Sequence, residues 1–261
     1  MLPSPCYVFS DTHLGFAPAA VERDLRAFLR PLRGRAGSLV INGDLFEFWF
    51  EWRHVMPRAA FRVLAALADL RDAGVPVLMI AGNHDCWGGE ILRDDVGIDF
   101  HLGAWRGSVA GWDTVIEHGD GLRDREDRRY RRLRAVLRNP LAIRAFRWLH
   151  PDWGTALAGG SSHASRSYGA RDGGAGLRRV AENRLLSDPS VELLIYGHSH
   201  VAALERMAAG GVYANAGSWL DAPTFLRVTP ERVELRRWDG SAEGVALDAV
   251  DRAAQKALAQ G

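Results

Sequence analysis

Three apolar runs in the first third of the chain, YVFSD (7–11), SLVINGD (38–44) and VPVLMIAGNHD (75–85), are nearly continuous, and each finishes in polar residues. Continuous runs, as opposed to alternating ones, predict strands buried on both faces. Between them, Val21, Leu25, Phe28, Leu29 and Leu32 fall on one face of a predicted helix over 21–32. Phe61, Leu64, Ala65, Leu67 and Leu70 do the same within 57–73, and Gly74 supplies the stop. Strand, helix, strand, helix, strand indicates an α/β chain with a largely parallel sheet. From Ile98 the pattern shortens to DFHLG, GSVAGW and DTVIEHGD (113–120). Residues 125–149 predict two helices broken at Asn139-Pro140, because proline restricts the residue before it and does not continue a helix interior. A Gly/Ser-rich stretch (159–176) precedes a predicted helix at 177–187, and VELLIYG (191–197) returns to the core. GGVYANAGSW, TFLRVTP and RVELRRW read as hairpin strands, and 245–260 reads as a helix. With no internal repeat and no clean linker, residues 1–261 are expected to form one domain.

Polar strand ends are where the chemistry collects. They carry Asp11 and His13 in SDTH, Asp44 in NGD, Asn83 and His84 in GNHD, His118 in EHGD, and His198 and His200 in GHSH. Ligands of open α/β sheets gather at the carboxyl ends of strands, so these five loops are expected to converge. Imidazole and carboxylate oxygen suit Mn, Fe, Zn or a similar divalent ion, and no thiolate is offered. The set is too large for one tetrahedral or octahedral site that keeps an open position. It suits two ions about 3.5–4 Å apart sharing a bridging carboxylate. Gly43, Gly82 and Gly197 each stand one position before a candidate ligand, and Gly119 follows His118, so the turns are tight enough to aim these side chains. Any one loop alone reads equally well as an ordinary Asx turn or a satisfied histidine. The five together, in this order, do not.

Charge adds a second feature. The chain is 47% hydrophobic and 25% charged, an ordinary globular balance, with a net charge of +1. Segment 123–185 nevertheless holds 15 Arg against six acidic residues, leaving the remainder acidic. That concentration points to an anionic partner or to a solvated helix face. The Arg-rich part carries no recognised nucleic-acid-binding motif, so nucleic acid is not expected, and no obligate protein partner is evident. Met1 to Val8 lacks the charged leader and apolar stretch of a signal peptide, and no apolar run approaches the roughly 20 residues of a bilayer span. Cys6 and Cys86 form no CxxC and read as reduced thiols. The expected location is therefore cytoplasmic.

In this order, D-x-H, G-D, G-N-H-D, H-G and G-H-x-H, between about Tyr7 and Trp219, resemble the calcineurin-like metallophosphoesterases. The resemblance implies a four-layer α/β/β/α sandwich with two divalent ions, manganese foremost, with iron or zinc also suited. Carried over by motif, one ion takes Asp11, His13 and His200, the other Asn83, His118 and His198, and Asp44 bridges them. His84 matches the position that contacts a phosphoryl oxygen or protonates the leaving group, with Asp85 orienting it. The implied reaction is an in-line attack by a hydroxide held between the ions, with no covalent enzyme intermediate.

The 79 residues between His118 and His198 narrow the resemblance. The pattern D-x-x-Y-x-x-L-R from Asp127, closing at Pro140, and GDLFEFW (43–49) are similar to the UDP-2,3-diacylglucosamine hydrolases of lipid A synthesis, which carry a helical insertion over the metal site. By that pattern, 123–187 is a helical, Arg-rich lid over the active site. Asn83, His84, Asp127, Tyr130, Ser165, Arg166 and His198 meet the substrate, and the partners are a lipid-linked nucleotide and the inner face of the cytoplasmic membrane, where the protein sits peripherally. The insertion's arginines offer forked donors to a pyrophosphate. Leu141, Ile143, Phe146, Trp148, Leu149, Trp153 and Leu157 either line a slot for acyl chains or pack the insertion onto the body. That family generally carries Arg where this chain has His84, which is the wider superfamily's residue. Two other readings stay open: a soluble phosphodiesterase or nucleotide pyrophosphatase with the insertion as a cap, and a scaffold of this fold without catalysis.

Overall fold

The computed structural model describes residues 1–123, 127–156 and 172–252. Strands β1 (Cys6–Phe9), β2 (Ser38–Asn42), β3 (Val77–Ile80) and β4 (Asp99–His101) run parallel side by side, as the strand–helix alternation predicts. Helices α1 (Ala19–Leu32) and α2 (Phe61–Asp72) make the first two crossovers. On the other flank β10 (Thr224–Val228) pairs antiparallel with β1, followed by β11 (Arg232–Arg237) and β12 (Val245–Asp251). The resulting seven-stranded order is β12-β11-β10-β1-β2-β3-β4. A second sheet, ordered β5-β6-β7-β9-β8, is built from β5 (Trp105–Val109), β6 (Trp112–Ile116), β7 (Leu193–Tyr196), β8 (Ala203–Arg206) and β9 (Val212–Asn215).

Strand residues alternate between two cores. Tyr7, Phe9, Leu39, Ile41, Val77 and Met79 pack under α1 and α2, against Leu25, Phe28, Leu29, Leu67 and Leu70. Their neighbours Cys6, Val8, Val40, Leu78 and Ile80 face the second sheet and meet Trp112, Ile116, Leu193, Ile195, Val212 and Ala214. The outer face of that sheet (Val115, Leu194, Tyr196, Tyr213) is covered by α5 (Ala175–Ser187) through Leu177, Ala181 and Leu185. Four layers, α/β/β/α, result. Burial on both faces is why the strand sequences read as unbroken apolar runs.

Two expectations change. The predicted tail helix is a strand over Val245–Asp251, in register with β11 apart from one irregularity at Leu235/Arg236, and residues 253–260 of that expectation lie outside the described ones. VALDAVD is the exposed edge strand of the sheet, and its ladder with β11 satisfies its backbone on that side. The 123–187 stretch also divides: α5 is the fourth layer of the sandwich, whereas α3 (Arg128–Leu137), α4 (Pro140–Arg147) and helical residues 151–156 stand apart from both sheets. The break between α3 and α4 has a local cause. Pro140 occupies the first turn of α4, where its missing N–H costs nothing, and Asn139 Oδ1 accepts from the Leu141 N–H at 2.8 Å.

Candidate metal centre

The loops that leave the strand ends hold one another. Asp11 N–H donates to Gly43 O (3.1 Å), Thr12 and His13 N–H to Asp44 O (2.9 and 3.0 Å), and Gly197 N–H to His118 O (2.8 Å). Side chains join the same lacing: His84 N–H reaches Asp44 Oδ1 at 3.0 Å and His198 N–H reaches Asp11 Oδ2 at 3.2 Å. Asp11, His13, Asp44, His198 and His200 all adopt φ between 52° and 62°. Among the described non-glycine residues only Ala110 shares that left-handed conformation. Such backbone is costly for an L-residue and clusters where surrounding structure forces a side chain into a functional direction. Gly82 is required for a different reason: a Cβ there would lie against the Asp44 carboxylate and 2.7 Å from the Asp44 nitrogen.

Three groups of donor atoms follow, each with all atoms within 4.8 Å: Asp11, His13 and His200; Asp44, His118 and His198; and His13, Asp44 and His84. Within them His118 Nε2 stands 3.1 Å from Asp44 Oδ2, His200 Nε2 3.4 Å from Asp11 Oδ1, and His13 Nε2 3.4 Å from His200 Nε2. Two donors bound side by side to one ion, each at roughly 2.0–2.1 Å, lie roughly 3.0–3.4 Å apart, so these spacings fit shared coordination. Asp11 Oδ1 is buried and receives no well-formed hydrogen bond among the described residues, which is costly unless a cation completes it. The rings are aimed from behind: His13 Nδ1 lies 3.0 Å from Glu47 Oε2, His200 Nδ1 3.0 Å from Asp221 Oδ2, and His118 Nδ1 2.8 Å from Asn42 O. An imidazole anchored through Nδ1 presents Nε2 to a metal in a fixed orientation.

Electrostatics support the same use. Burial alone would raise the Asp44 carboxyl, yet the His118 and His84 rings beside it hold it well below the usual carboxylate range. Burial, reinforced by His118, pushes His198 down to about 4, leaving a neutral imidazole ready to bind metal. His200 moves the other way: burial opposes its proton, but the Asp11 carboxylate beside it and the bond to Asp221 carry it up to about 9. Burial opposes a proton on His118 as well, but the Asp44 carboxylate raises it well above its ordinary value, so binding of a divalent ion at these histidines would be coupled to release of protons.

A family model described as calcineurin-like phosphoesterase matches residues 4–202. This chain belongs to that family. It is a metal-dependent hydrolase of phosphoesters. Three curated relatives carry the name UDP-2,3-diacylglucosamine hydrolase. The protein from Porphyromonas gingivalis is 33% identical over 76% of this chain and 84% of its own length. Those from Salmonella arizonae (30% identical, 87% of this chain and 95% of the relative) and Nitrosococcus oceani (27%, 86% and 91%) extend the match.

In this phosphoesterase His84 is buried, with Nδ1 2.8 Å from Glu47 O and its ring perpendicular to His13 at 4.9 Å. Asn83 stands between Gly82 and His84, both of which pack on Asp44. The Asp85 carboxylate accepts from Gly82 N–H and Leu45 N–H, both at 2.8 Å, and so pins the GNHD loop, His84 included, to the loop of Asp44. Burial, with the Asp44 charge adding to it, pushes Asp85 up to about 7. Asp127 is likewise turned inward, because the guanidinium of Arg123 claims its carboxylate at 2.8–3.3 Å. Tyr130 donates to Asp120 Oδ2 at 2.7 Å, two residues beyond His118, and Arg134 donates to Asp120 O at 2.8 Å. Ser165, Arg166 and Leu157 lie outside the described residues.

The insertion's apolar residues divide. Ile143 and Phe146 pack on Phe48, Phe50, Trp52 and Trp87, and two indole N–H groups complete the seam, Trp87 to Leu137 O (2.8 Å) and Trp52 to Leu149 O (3.1 Å). Leu141, Trp148 and Trp153 are instead 72%, 91% and 75% exposed. Sequence reasoning missed Glu47, Glu51 and Asp221. Glu51 accepts from Trp49 Nε1, Gly89 N–H and Ile91 N–H and fastens the loop beyond Trp87. Two acids inside the aromatic run LFEFWFEW were a readable signal for Glu47 and Glu51. Asp221 had none.

Proposed function

We propose that this phosphoesterase hydrolyses the phosphoanhydride of UDP-2,3-diacylglucosamine, giving UMP and 2,3-diacylglucosamine 1-phosphate. The observation that carries the reading is the shared name of relatives matched over most of the chain, at up to 33% identity. The helical insertion suits such a substrate, because it is fastened at Trp87 and Tyr130 to the two loops that carry His84 and His118. In this reading Asp11, His13 and His200 hold one divalent ion and Asn83, His118 and His198 the other, with Asp44 shared and manganese the first metal to test. Two such ions supply Lewis acidity and lower the pKa of a water they hold towards roughly 7. The chain's own residues do the rest. Glu47 and Asp221 keep the Nε2 atoms of His13 and His200 turned inward. His84, its Nδ1–H given to the Glu47 carbonyl, offers Nε2 to a phosphoryl oxygen when the ring carries its second proton. The insertion closes over the centre as a lid, with Tyr130 at its edge and Asp127 holding Arg123 in place behind it.

The reading extends to location. No helix among the described residues is long and apolar enough to cross a membrane. Leu133, Val136, Leu141, Trp148 and Trp153 are exposed on the insertion next to Arg128, Arg132, Arg144 and Arg147. Exposed indoles and aliphatics among arginines suit the anionic inner face of the cytoplasmic membrane, where a diacylated substrate resides.

Activity with Mn2+ tests the reading directly: UDP-2,3-diacylglucosamine in mixed micelles, with bis-p-nitrophenyl phosphate and ADP-ribose alongside. A rate on the lipid far above the other two, lost in Asp44→Ala, is expected. Asp44-dependent cleavage of the soluble compounds without lipid turnover would retain the metal chemistry and reject the substrate, favouring a soluble phosphodiesterase.

A further inference from the structure

The two donor groups share Asp44, yet what stands behind them differs in charge. Behind Asp11, His13 and His200, both imidazoles rest their Nδ1 on carboxylates, Glu47 Oε2 and Asp221 Oδ2, each at 3.0 Å. Behind the second group, His118 rests its Nδ1 on the neutral carbonyl of Asn42 at 2.8 Å. The Asp120 carboxylate, two residues past His118, is taken up by the Tyr130 hydroxyl at 2.7 Å, with Arg134 and Arg138 at 3.5 and 3.9 Å. The donors themselves follow the same division. Asp11 is a donor in the first group only, whereas the motif adds the neutral Asn83 to the second.

A ligating imidazole whose other N–H is given to a carboxylate is a stronger donor, held in one tautomer. Glu47, 10% exposed, also adds attraction for a dication with little water to screen it, whereas the exposed Asp221 acts by fixing the tautomer and direction of the His200 ring. We propose that the two positions bind divalent ions with unequal affinity: the Asp11–His13–His200 position fills first and keeps its ion longer, and Glu47 and Asp221 are the positioning residues that set this order. The inference rests on the two-ion reading of the centre and goes beyond it by ranking the sites.

Titration of ion-free, full-length protein with Mn2+, following free Mn2+ by electron paramagnetic resonance and heat by calorimetry, tests the ranking without any turnover. Two steps are expected, the tighter one weakened by about tenfold in Asp221→Asn and in Glu47→Gln, and the weaker one changed by less than about twofold. Glu47 is buried, so its variant also perturbs packing. Asp221, whose side chain is 63% exposed, supplies a variant that folds without that burden. A structural disturbance would shift both steps, whereas a positioning role shifts one. Two equal steps in the unsubstituted protein, or a loss in Asp221→Asn that falls on the weaker step or equally on both, would overturn the proposal. Binding of a single ion would remove the two-ion reading as well.

Discussion

Asp44 and Trp148 mark the extremes of this chain. Asp44 is 2% exposed and sits on left-handed backbone, its carbonyl held by Thr12 and His13 N–H and its carboxylate by His84 N–H and His118 Nε2; the Trp148 indole is 91% exposed, at the end of a short helix that no sheet supports. Strand-end loops reach their geometry by mutual constraint, each one a template for the next. The insertion reaches its position through one aromatic seam and a few side-chain bonds. Differences of this kind teach where precision lives: the candidate donors sit in the part of the molecule that cannot relax, and the proposed function assigns substrate choice to the part that is fastened at few points.

Breaking the constrained side has the largest expected effect. Asp44→Ala removes a donor common to two groups, and turnover of bis-p-nitrophenyl phosphate falls by about 10³-fold or more. A retained rate would show that the five loops are scaffolding only. Gly82→Ala comes next: the new methyl group displaces the Asp44 carboxylate while every donor residue is retained in the sequence, and kcat falls by about 10²-fold while the fold persists by circular dichroism. Unchanged kcat would mean the tight approach of these loops has no catalytic consequence.

Asp85→Asn sharpens the comparison through stability. One of the two backbone N–H groups held by Asp85 would face an amide donor, costing about 1–3 kcal/mol, which thermal melting reads as a lowered Tm. An unaltered Tm would contradict its role as the pin between loops. On the loosely fastened side, Trp148→Ala with Trp153→Ala leaves Tm within about 1 °C, because surface changes cost little, and weakens sedimentation with anionic vesicles. Equal sedimentation would remove this face as the membrane contact.

Most of the constrained side was legible in the sequence. Five short motifs at the ends of apolar runs named Asp11, His13, Asp44, His84, His118, His198 and His200, which the fold brings together, and the apolar runs themselves named strands buried on both faces. Proline at 140 placed the helix break. What stood behind the donors was less readable, since the partner of His200 lies 21 residues away and the partner of His13 lies 34 away, on loops with no periodicity to align them. The backbone partners of Asp85, Gly82 N–H and Leu45 N–H, were not readable either, since a tight turn and a separate loop bring them to it. The edge strand β12 looked helical from composition alone. Its pairing with β11 is a tertiary choice that an Ala-rich stretch does not announce.

The proposed division between a catalytic centre and a substrate-selecting insertion is tested most directly at the seam. Phe146 touches Phe48, Phe50, Trp52 and Trp87 but no candidate ligand, and its truncation costs about 2 kcal/mol, below the range for a fully buried ring. In Phe146→Ala, kcat/KM for UDP-2,3-diacylglucosamine is predicted to fall by about tenfold or more, with kcat/KM for bis-p-nitrophenyl phosphate staying within about twofold. A parallel fall in both, or no fall in either, would contradict the account.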